Sequence, residues 1–270
     1  MTFGDFAYLA GIALVLIPLE RCFPLHAGRK HLRPGWCIDL LHVFVSGFLI
    51  RVGAGAAIIA VSVVCAATVP SVVRDTIRGQ HVGIQFVELL VLSDLGFYVA
   101  HRLFHAVPAL WRFHEIHHSS EQLDWLATFR VHPVDQIVNA AIIAVPGIAL
   151  GFSPGALAVY GLVYRAHSML LHSNVKLNLG WLQGIVACPT YHHWHHAEER
   201  EAYDKNFGGQ LVIWDRLFGT FYHPSRLPHR YGVKSEIPRD YVEQILGPFS
   251  RRGGRPSRLA PRVGSESGVS

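Results

Sequence analysis

The feature that most limits how this chain can fold is its longest apolar stretch, Ile38 to Val69. It exceeds the roughly 20 residues that cross a bilayer. Backbone amides in hydrocarbon must pair within their own segment, so the stretch reads as helix. One tilted span or a bent one is expected, since Gly53 and Gly55 sit near its middle. Arg51, inside it, must snorkel, pair or face the bundle interior. Two further runs point the same way. Phe3 to Leu19 is closed by Glu20 and Arg21 and lacks both a basic leader and a small-residue cleavage site. It reads as a membrane helix rather than a signal peptide, although short for a span. Ile84 to Phe104 is the next span, and its second half carries Asp94, Tyr98 and His101, which cannot face lipid cheaply. Composition agrees: only 16% of the 270 residues are charged, against about 25% in soluble domains.

The remaining segments are read in order. Pro70 to Gly83 is a polar connector. Ile137 to Leu150 and Pro154 to Leu171 are two apolar helices joined by a turn at Gly151 to Gly155. Each is short for a span, which fits a hairpin that crosses or dips in from one face. Asn206 to Phe221, aromatic and glycine-rich, is expected to be a partly ordered interfacial segment. From Arg251 onward a basic Gly/Ser/Pro-rich tail is expected to be disordered. Four units follow: 1–83, N-terminal membrane helices and connector; 84–223, a catalytic domain; 224–250, a C-terminal extension; and the tail, 251–270. The expected class is all-α, a polytopic membrane bundle of about four or five membrane helices or hairpins with a histidine-rich helical cap.

Arg21, Arg29, Lys30 and Arg33 follow the first run and place that loop on the cytoplasmic side. Counting crossings then brings every histidine motif out on that side. The net charge of +5 does not indicate nucleic acid, because the basic residues flank apolar spans or lie in the tail. Cys22, Cys37, Cys65 and Cys188 are scattered, with no CxxC, so neither a disulfide framework nor thiolate metal binding is indicated.

The histidines carry the chemistry. His101 and His105 stand four apart and share a helix face with Asp94 and Tyr98. Pro108 breaks that helix. A second helical run places His114, His117 and His118 on one side, and a second HxxHH follows at His192, His195 and His196. Imidazole is the commonest metal ligand among side chains. Eight histidines in three tight sets exceed the needs of one ion and read as a two-metal site. Packed neutral imidazoles leave donors and acceptors competing unless something satisfies them. His26, His31, His42, His81, His223 and His229 read as ordinary polar residues. Two other readings compete. His114, Glu115 and His118 spell HExxH, a one-zinc hydrolase motif with Glu115 as general base, but this leaves six boxed histidines without a role. A membrane metal-binding or transport protein would place its ligands near the bilayer midplane, whereas most histidines here fall outside the apolar runs.

The segments DLGFYVAHRLFHAVPALWRFHEIHHSS, RVHPVD, LLHSN, HHWHH and NFGGQLVIWDRLFGTF, with PLERCFP near the N-terminus, resemble the fatty acid hydroxylase/sterol desaturase superfamily in order and spacing, from roughly Pro18 to Phe221. The resemblance implies a membrane-bound non-haem di-iron enzyme that uses O2 to hydroxylate or desaturate a sterol, fatty acyl or related lipid. It implies metal ligands at His101, His105, His114, His117, His118, His172, His192, His195 and His196. His132 and His167 are further positions, as ligand or as support for one. Asp94 and Tyr98 are expected to orient ligands. Asn206, Asp215 and Gly219 match positions near the site without a ligand role. Two iron ions are implied, for which zinc can substitute. No flavin, haem or nicotinamide motif is present, so electrons are expected from a partner such as a ferredoxin or a cytochrome b5-like protein with its reductase. A basic cytoplasmic face would suit an acidic carrier.

Overall fold

The computed structural model describes residues 3–29 and 32–250. Lys30, His31 and the expected tail from residue 251 lie outside the described residues. The fold is all-helical: among the described residues, sheet pairing is limited to three isolated bridges, Pro24 with Val175, Val186 with Leu211, and Ala197 with Tyr231.

The first helix, α1, spans Phe3–Cys22. After a loop, α2 (Trp36–Leu41), a π-helical turn (His42–Ser46) and α3 (Gly47–Thr68) form one continuous rod. At 1.5 Å per residue this rod is about 50 Å long, more than a bilayer core of about 30 Å. The irregularity falls at His42–Ser46 and not at the mid-span glycines. There the buried His42 donates from Nε2 to Gln244 Oε1 at 3.0 Å and accepts from Ser46 Oγ at 3.1 Å. The Gln244 bond, with that between the Ser46 and Tyr241 hydroxyls at 2.9 Å, docks the rod on the last helix, α11 (Tyr241–Ser250). Gly53 serves close approach: a Cβ there would lie 2.3 Å from the Ile137 side chain. Arg51 pairs with Asp5 of α1 at 2.5 Å, the pairing solution to an arginine in an apolar run.

The connector expected between Pro70 and Gly83 is partly helical, as α4 (Ser71–Arg78). α5 (Val82–Ala106) begins with the His81 ring accepting from the Gly83 N–H. Val107 ends it, and Pro108 occupies the first turn of α6 (Pro108–His118), where a missing N–H costs nothing. A 3-10 turn (Trp125–Phe129) leads to α7 (Pro133–Ala149) and α8 (Pro154–His172). In the turn between them Gly151 has φ +73° and its Cβ position would meet Arg74 at 2.6 Å, so only glycine fits. The short helices α9 (Pro189–His195) and α10 (Ile213–Leu217) precede α11.

α5 is the hub, packing on α6, α7 and α8, while α3 leans on α7. One core cluster, Leu89, Phe152, Ala156 and Tyr160, binds α5 to α8. A second, Leu171, Ala187, Cys188, Tyr191 and Val212, lies under α9. Among the described residues two helical stretches are long and apolar enough to cross a membrane, Trp36–Thr68 and Val82–Ala106. Their outer faces leave Phe48, Val52, Ile59 and Val63 of α3, and Ile84, Val87 and Val99 of α5, exposed. In water that surface would be costly. A buried charge network fixes the base of the rod. Asp39 accepts from Arg33 at 2.5 Å and from Arg130 at 2.6 Å, and Arg33 also reaches Asp124 at 2.9 Å. All four cysteines are free.

Candidate metal centre

Four helices, α5 and α6 consecutive and α8 and α9 later in the chain, supply the histidines. α5 presents His101 and His105 from its last turns, on its buried face. Because the chain restarts at Pro108, α6 folds back and returns His114, His117 and His118 toward them. α8 ends on His172, and α9 carries His192 and His195 with His196 as its C-cap. The i, i+3, i+4 spacing keeps the last three on one face even in so short a helix.

The nine rings fall into two sets. His101, His105, His114, His118 and His195 form one, and His117, His172, His192 and His196 the other; within each set the facing nitrogens lie within 4.8 Å of one another. All nine are buried. The sets adjoin: the rings of His118 and His196 stack with centroids 4.4 Å apart.

Hydrogen bonds decide which nitrogen faces inward. Nδ1 of His101 donates to the Phe207 carbonyl (2.9 Å), that of His117 to Arg130 (3.2 Å), that of His172 to Ser168 (2.9 Å) and that of His195 to Lys205 (2.8 Å). His114 Nδ1 donates to the Asp135 carboxylate at 2.7 Å, and His105 Nδ1 faces Asp204 at 3.6 Å. A neutral imidazole has one N–H, so Nε2 of the five donors carries a lone pair. Yet these bare nitrogens are pressed together. Nε2 to Nε2 separations are 3.1 Å for both His101–His114 and His117–His172, while His192, whose Nδ1 has no hydrogen-bond partner among the described residues, brings its Nε2 to 3.0 Å from that of His172. Facing lone pairs repel, and a cation between them converts that cost into ligation. Ligands at right angles on a metal about 2.0–2.1 Å away stand about 3.0 Å apart, the spacing found here. The donor set therefore fits two imidazole-rich metal ions. Burial, followed by the neighbouring His114, holds His117 down to about 4. Burial likewise holds His192 and His196 well below the ordinary histidine range, with surrounding imidazoles adding to it. These rings are neutral at pH 7, the form that binds metal.

The segment after α9 supplies the orienting carbonyls, and it is folded, not partly ordered as its composition suggests. Asp215, wholly buried, accepts from the N–H groups of Phe207 and Gly208 at 2.8 Å, from Thr220 Oγ1 at 2.7 Å and from the Tyr191 hydroxyl. Asn206, at φ +59°, bonds Tyr191 and Tyr222 main-chain groups through both ends of its amide. Gly219 turns the chain at φ +73°.

Four expected site residues lie outside both sets. His132 caps α7, accepting from Val134 N–H and donating to the Ile245 carbonyl. His167 donates to the Ala187 carbonyl at 2.9 Å. Asp94 accepts from the N–H groups of Gln210 and Leu211 at 2.7 and 2.9 Å, and Tyr98 bonds Thr220 at 2.9 Å. Asp94 and Tyr98 thus hold the 206–221 segment rather than a ring. Glu115 points away from its HExxH neighbours and accepts from the Ser235 hydroxyl. His223 and His42 also lie outside both sets and bond Thr190 and Gln244. Asp135 was not singled out by spacing. Its signal is a carboxylate three residues after His132, with Asn139 one turn on, in an otherwise apolar helix.

A family model described as fatty acid hydroxylase matches residues 86–220, half of the chain. The ornithine lipid hydroxylase of Rhizobium tropici is 36% identical over 165 residues, covering 61% of this chain and 50% of that protein. The alkylglycerol monooxygenase of Homo sapiens is 39% identical over 128 residues, 47% of this chain and 28% of that protein. A fatty acid hydroxylase of a Lecanicillium species is 28% identical over 148 residues, 48% of this chain and 40% of that protein. The chain thus spans half or less of the length of these relatives. No solved structure matches it.

Proposed function

The chain belongs to the fatty acid hydroxylase family, and from that premise we propose that it is a membrane-bound oxygenase that hydroxylates a lipid, using O2 and two iron ions. The observation that carries the reading is the pair of buried histidine sets, in which outer hydrogen bonds hold the proton on Nδ1 of five of the nine rings and leave their inner nitrogens bare. His101, His105, His114, His118 and His195 would hold one ion, and His117, His172, His192 and His196 the other. When bound, such ions supply the O2 activation that cleavage of an unactivated C–H bond demands of a cofactor. The chain's own residues do the rest. Asp135 and the carbonyls of Arg130, Ser168, Lys205 and Phe207 hold each proton on the outer nitrogen and fix the ring planes. The Asp215 clasp keeps the 206–221 segment closed over the rings and water out.

Hydroxylation is favoured over desaturation because the relatives above are named hydroxylases and a monooxygenase. A sterol is a weaker choice of substrate than an acyl or alkyl lipid for the same reason. Hydrolysis is disfavoured because Glu115 faces Ser235 and not the space between His114 and His118. The two long apolar stretches support a multi-pass membrane protein, with the site on the cytoplasmic side by the positions of Arg21, Arg29 and Arg33. Electrons would come from a ferredoxin or cytochrome b5-like donor with its reductase. The test is expression of the full chain in a lipid-producing host, metal analysis of the purified protein, and mass spectrometry of host lipids. Two irons per chain and a lipid gaining one oxygen atom only under air are expected. One zinc per chain with product formed without O2 would overturn the proposal.

A further inference from the structure

Two short elements outside the long apolar helices carry apolar side chains on their open side. One is the 3-10 turn Gly180–Gly184 with Ile185 after it, and the other is α10. Trp181, Leu182 and Ile185 of the first are exposed, as are Ile213, Leu217 and Phe218 at the second, with Trp181 at 78% and Leu217 at 68%. No polar side chain from 181 to 185 is exposed, and from 213 to 218 only Arg216 is. Main-chain pairing joins the two elements into one surface. Val186 and Leu211 form an isolated bridge, and Val212 N–H donates to the Ile185 carbonyl at 2.9 Å.

α5 gives the height of this surface. The Phe207 carbonyl meets His101. Three and four residues on, the N–H groups of Gln210 and Leu211 meet Asp94, seven residues earlier on α5. Between those bonds the chain descends about 10 Å along the helix axis. Asp94 is the middle residue of this 25-residue apolar helix. Phe218 stands between the two levels, its ring stacked on Tyr98 with centroids 5.3 Å apart. The surface therefore flanks a membrane helix instead of standing clear of it. It is also continuous with the apolar groove between α1, α5 and α8, which is lined in part by Val186 and Leu211.

Irregular backbone cannot lie unpaired against hydrocarbon. Here the Ile185 and Val186 N–H groups bond the Leu182 carbonyl, Arg216 N–H that of Val212 and Phe218 N–H that of Trp214. Arg216 lies between the two elements, its guanidinium 4.2 Å over the Phe221 ring and its Nη2 3.6 Å from where a Gly184 Cβ would stand. A long cationic side chain can keep its head at the phosphates while its stem covers apolar surface. Tryptophan is the residue enriched at that level of a bilayer.

We infer that Trp181, Leu182, Ile185, Ile213, Leu217 and Phe218 insert into the headgroup–acyl boundary of the leaflet on the histidine side, with Trp181 as anchor and Arg216 at the headgroups. The inference uses α5 as a membrane helix and no metal chemistry, so it can fail while the oxygenase reading stands, and the reverse.

The test uses the full chain in phosphatidylcholine vesicles and takes the Trp181 signal as the difference between wild type and Trp181→Phe. Bromine on the acyl chains just below the glycerol should quench that signal by about half or more, as for an indole about 5–10 Å below the headgroups. Aqueous iodide should leave it nearly unchanged. In the wild-type chain, a phosphatidylcholine with a diazirine at the same level should label the 181–185 and 213–218 segments, a reading that needs no variant. Val87→Trp, on the exposed face of α5, is the control, since its added indole should be quenched by acyl-chain bromine at some depth. Quenching of Trp181 by iodide and not by bromine would overturn the inference. Silence to both, the mark of a surface covered by a second copy or another protein, would overturn it as well. Absence of bromine quenching at both Trp181 and the control would sink the membrane reading along with it. Quenching as expected in a protein that forms no oxygenated lipid would sink the oxygenase reading alone.

Discussion

Asp135 offers the sharpest test of the centre. Its Oδ2 accepts from His114 Nδ1 at 2.7 Å, and its Oδ1 accepts from Asn139 Nδ2 at 2.5 Å. Asp135→Asn keeps the shape but removes the charge. One oxygen can still accept from His114, and Asn139 can present its own carbonyl oxygen to the new NH2, so the network stays closed. What is lost is the difference between a hydrogen bond to a charged group, about 1.5–3 kcal/mol, and a neutral one, about 0.5–1.5 kcal/mol. That difference of about 1–1.5 kcal/mol corresponds to roughly five- to twelvefold in affinity. Asp135→Leu strands two buried donors and frees the His114 ring to rotate, and should cost about 10–100-fold. The loss should be confined to one ion, because His114 belongs only to the set with His101, His105, His118 and His195. Competition of iron-loaded protein against a graded chelator, with metal counted per chain, reads this directly. One ion should leave early in both variants, earlier in Asp135→Leu, while the second leaves as in the wild type. Equal weakening of both ions, or no change in Asp135→Leu, would refute the assignment of Asp135 as the group that holds His114.

Three further outcomes are expected. His117→Ala and His195→Ala, one from each set, should abolish turnover with the protein still inserted in membranes and each lower the metal count, whereas His223→Ala, whose ring bonds Thr190, should leave turnover near wild type. Glu115→Gln should retain substantial O2-dependent product formation measured by mass spectrometry, since its carboxylate meets Ser235 and belongs to neither histidine set; loss of all product with metal retained would favour the hydrolase. Burial holds His193 down to about 3 and His117 to about 4, below the unfolded value of about 6.5. The unfolded chain binds those protons first, so stability falls as pH drops through 6.5 toward the folded values and is fully present above it. The urea midpoint of metal-stripped protein in detergent should therefore decline between about pH 6.5 and 4 and stay level from about pH 7 to 8.

The boxed histidines were legible because helical spacing is written in side-chain identity. The apolar runs likewise announced the rod and α5. What sequence could not convey was main-chain chemistry. The carbonyls of Arg130, Ser168, Lys205 and Phe207 orient four rings, and a carbonyl carries no residue-specific mark. The aromatic, glycine-rich composition of the 206–221 segment suggests partial order, whereas Asp215 pairs the amides of Phe207 and Gly208 and Asn206 that of Tyr222, and composition carries no mark of such pairing. The stripe shared by Asp94, Tyr98, His101 and His105 was read correctly as one face but too uniformly. The two residues farther from the helix end reach the loop, and only the histidines reach the sets. The π-helical turn at His42 was hidden for a different reason: it answers to α11, some two hundred residues later.

The clasp formed by Asp215 has a bearing on how the protein is made. His101 and His105 leave the ribosome about a hundred residues before Lys205 and Phe207, whose carbonyls lock the His195 and His101 tautomers. At ordinary synthesis rates that interval is on the order of 5–20 s. During it, α5 and α6 offer five histidines with neither their partners from α9 nor the carbonyls that aim His101. Any ion captured then meets a partial, adjustable ligand set that discriminates little by geometry. On the proposed two-metal reading, selection of the metal would follow closure of the 206–221 segment, so supplying metal during synthesis and supplying it afterwards are different experiments on the same polypeptide.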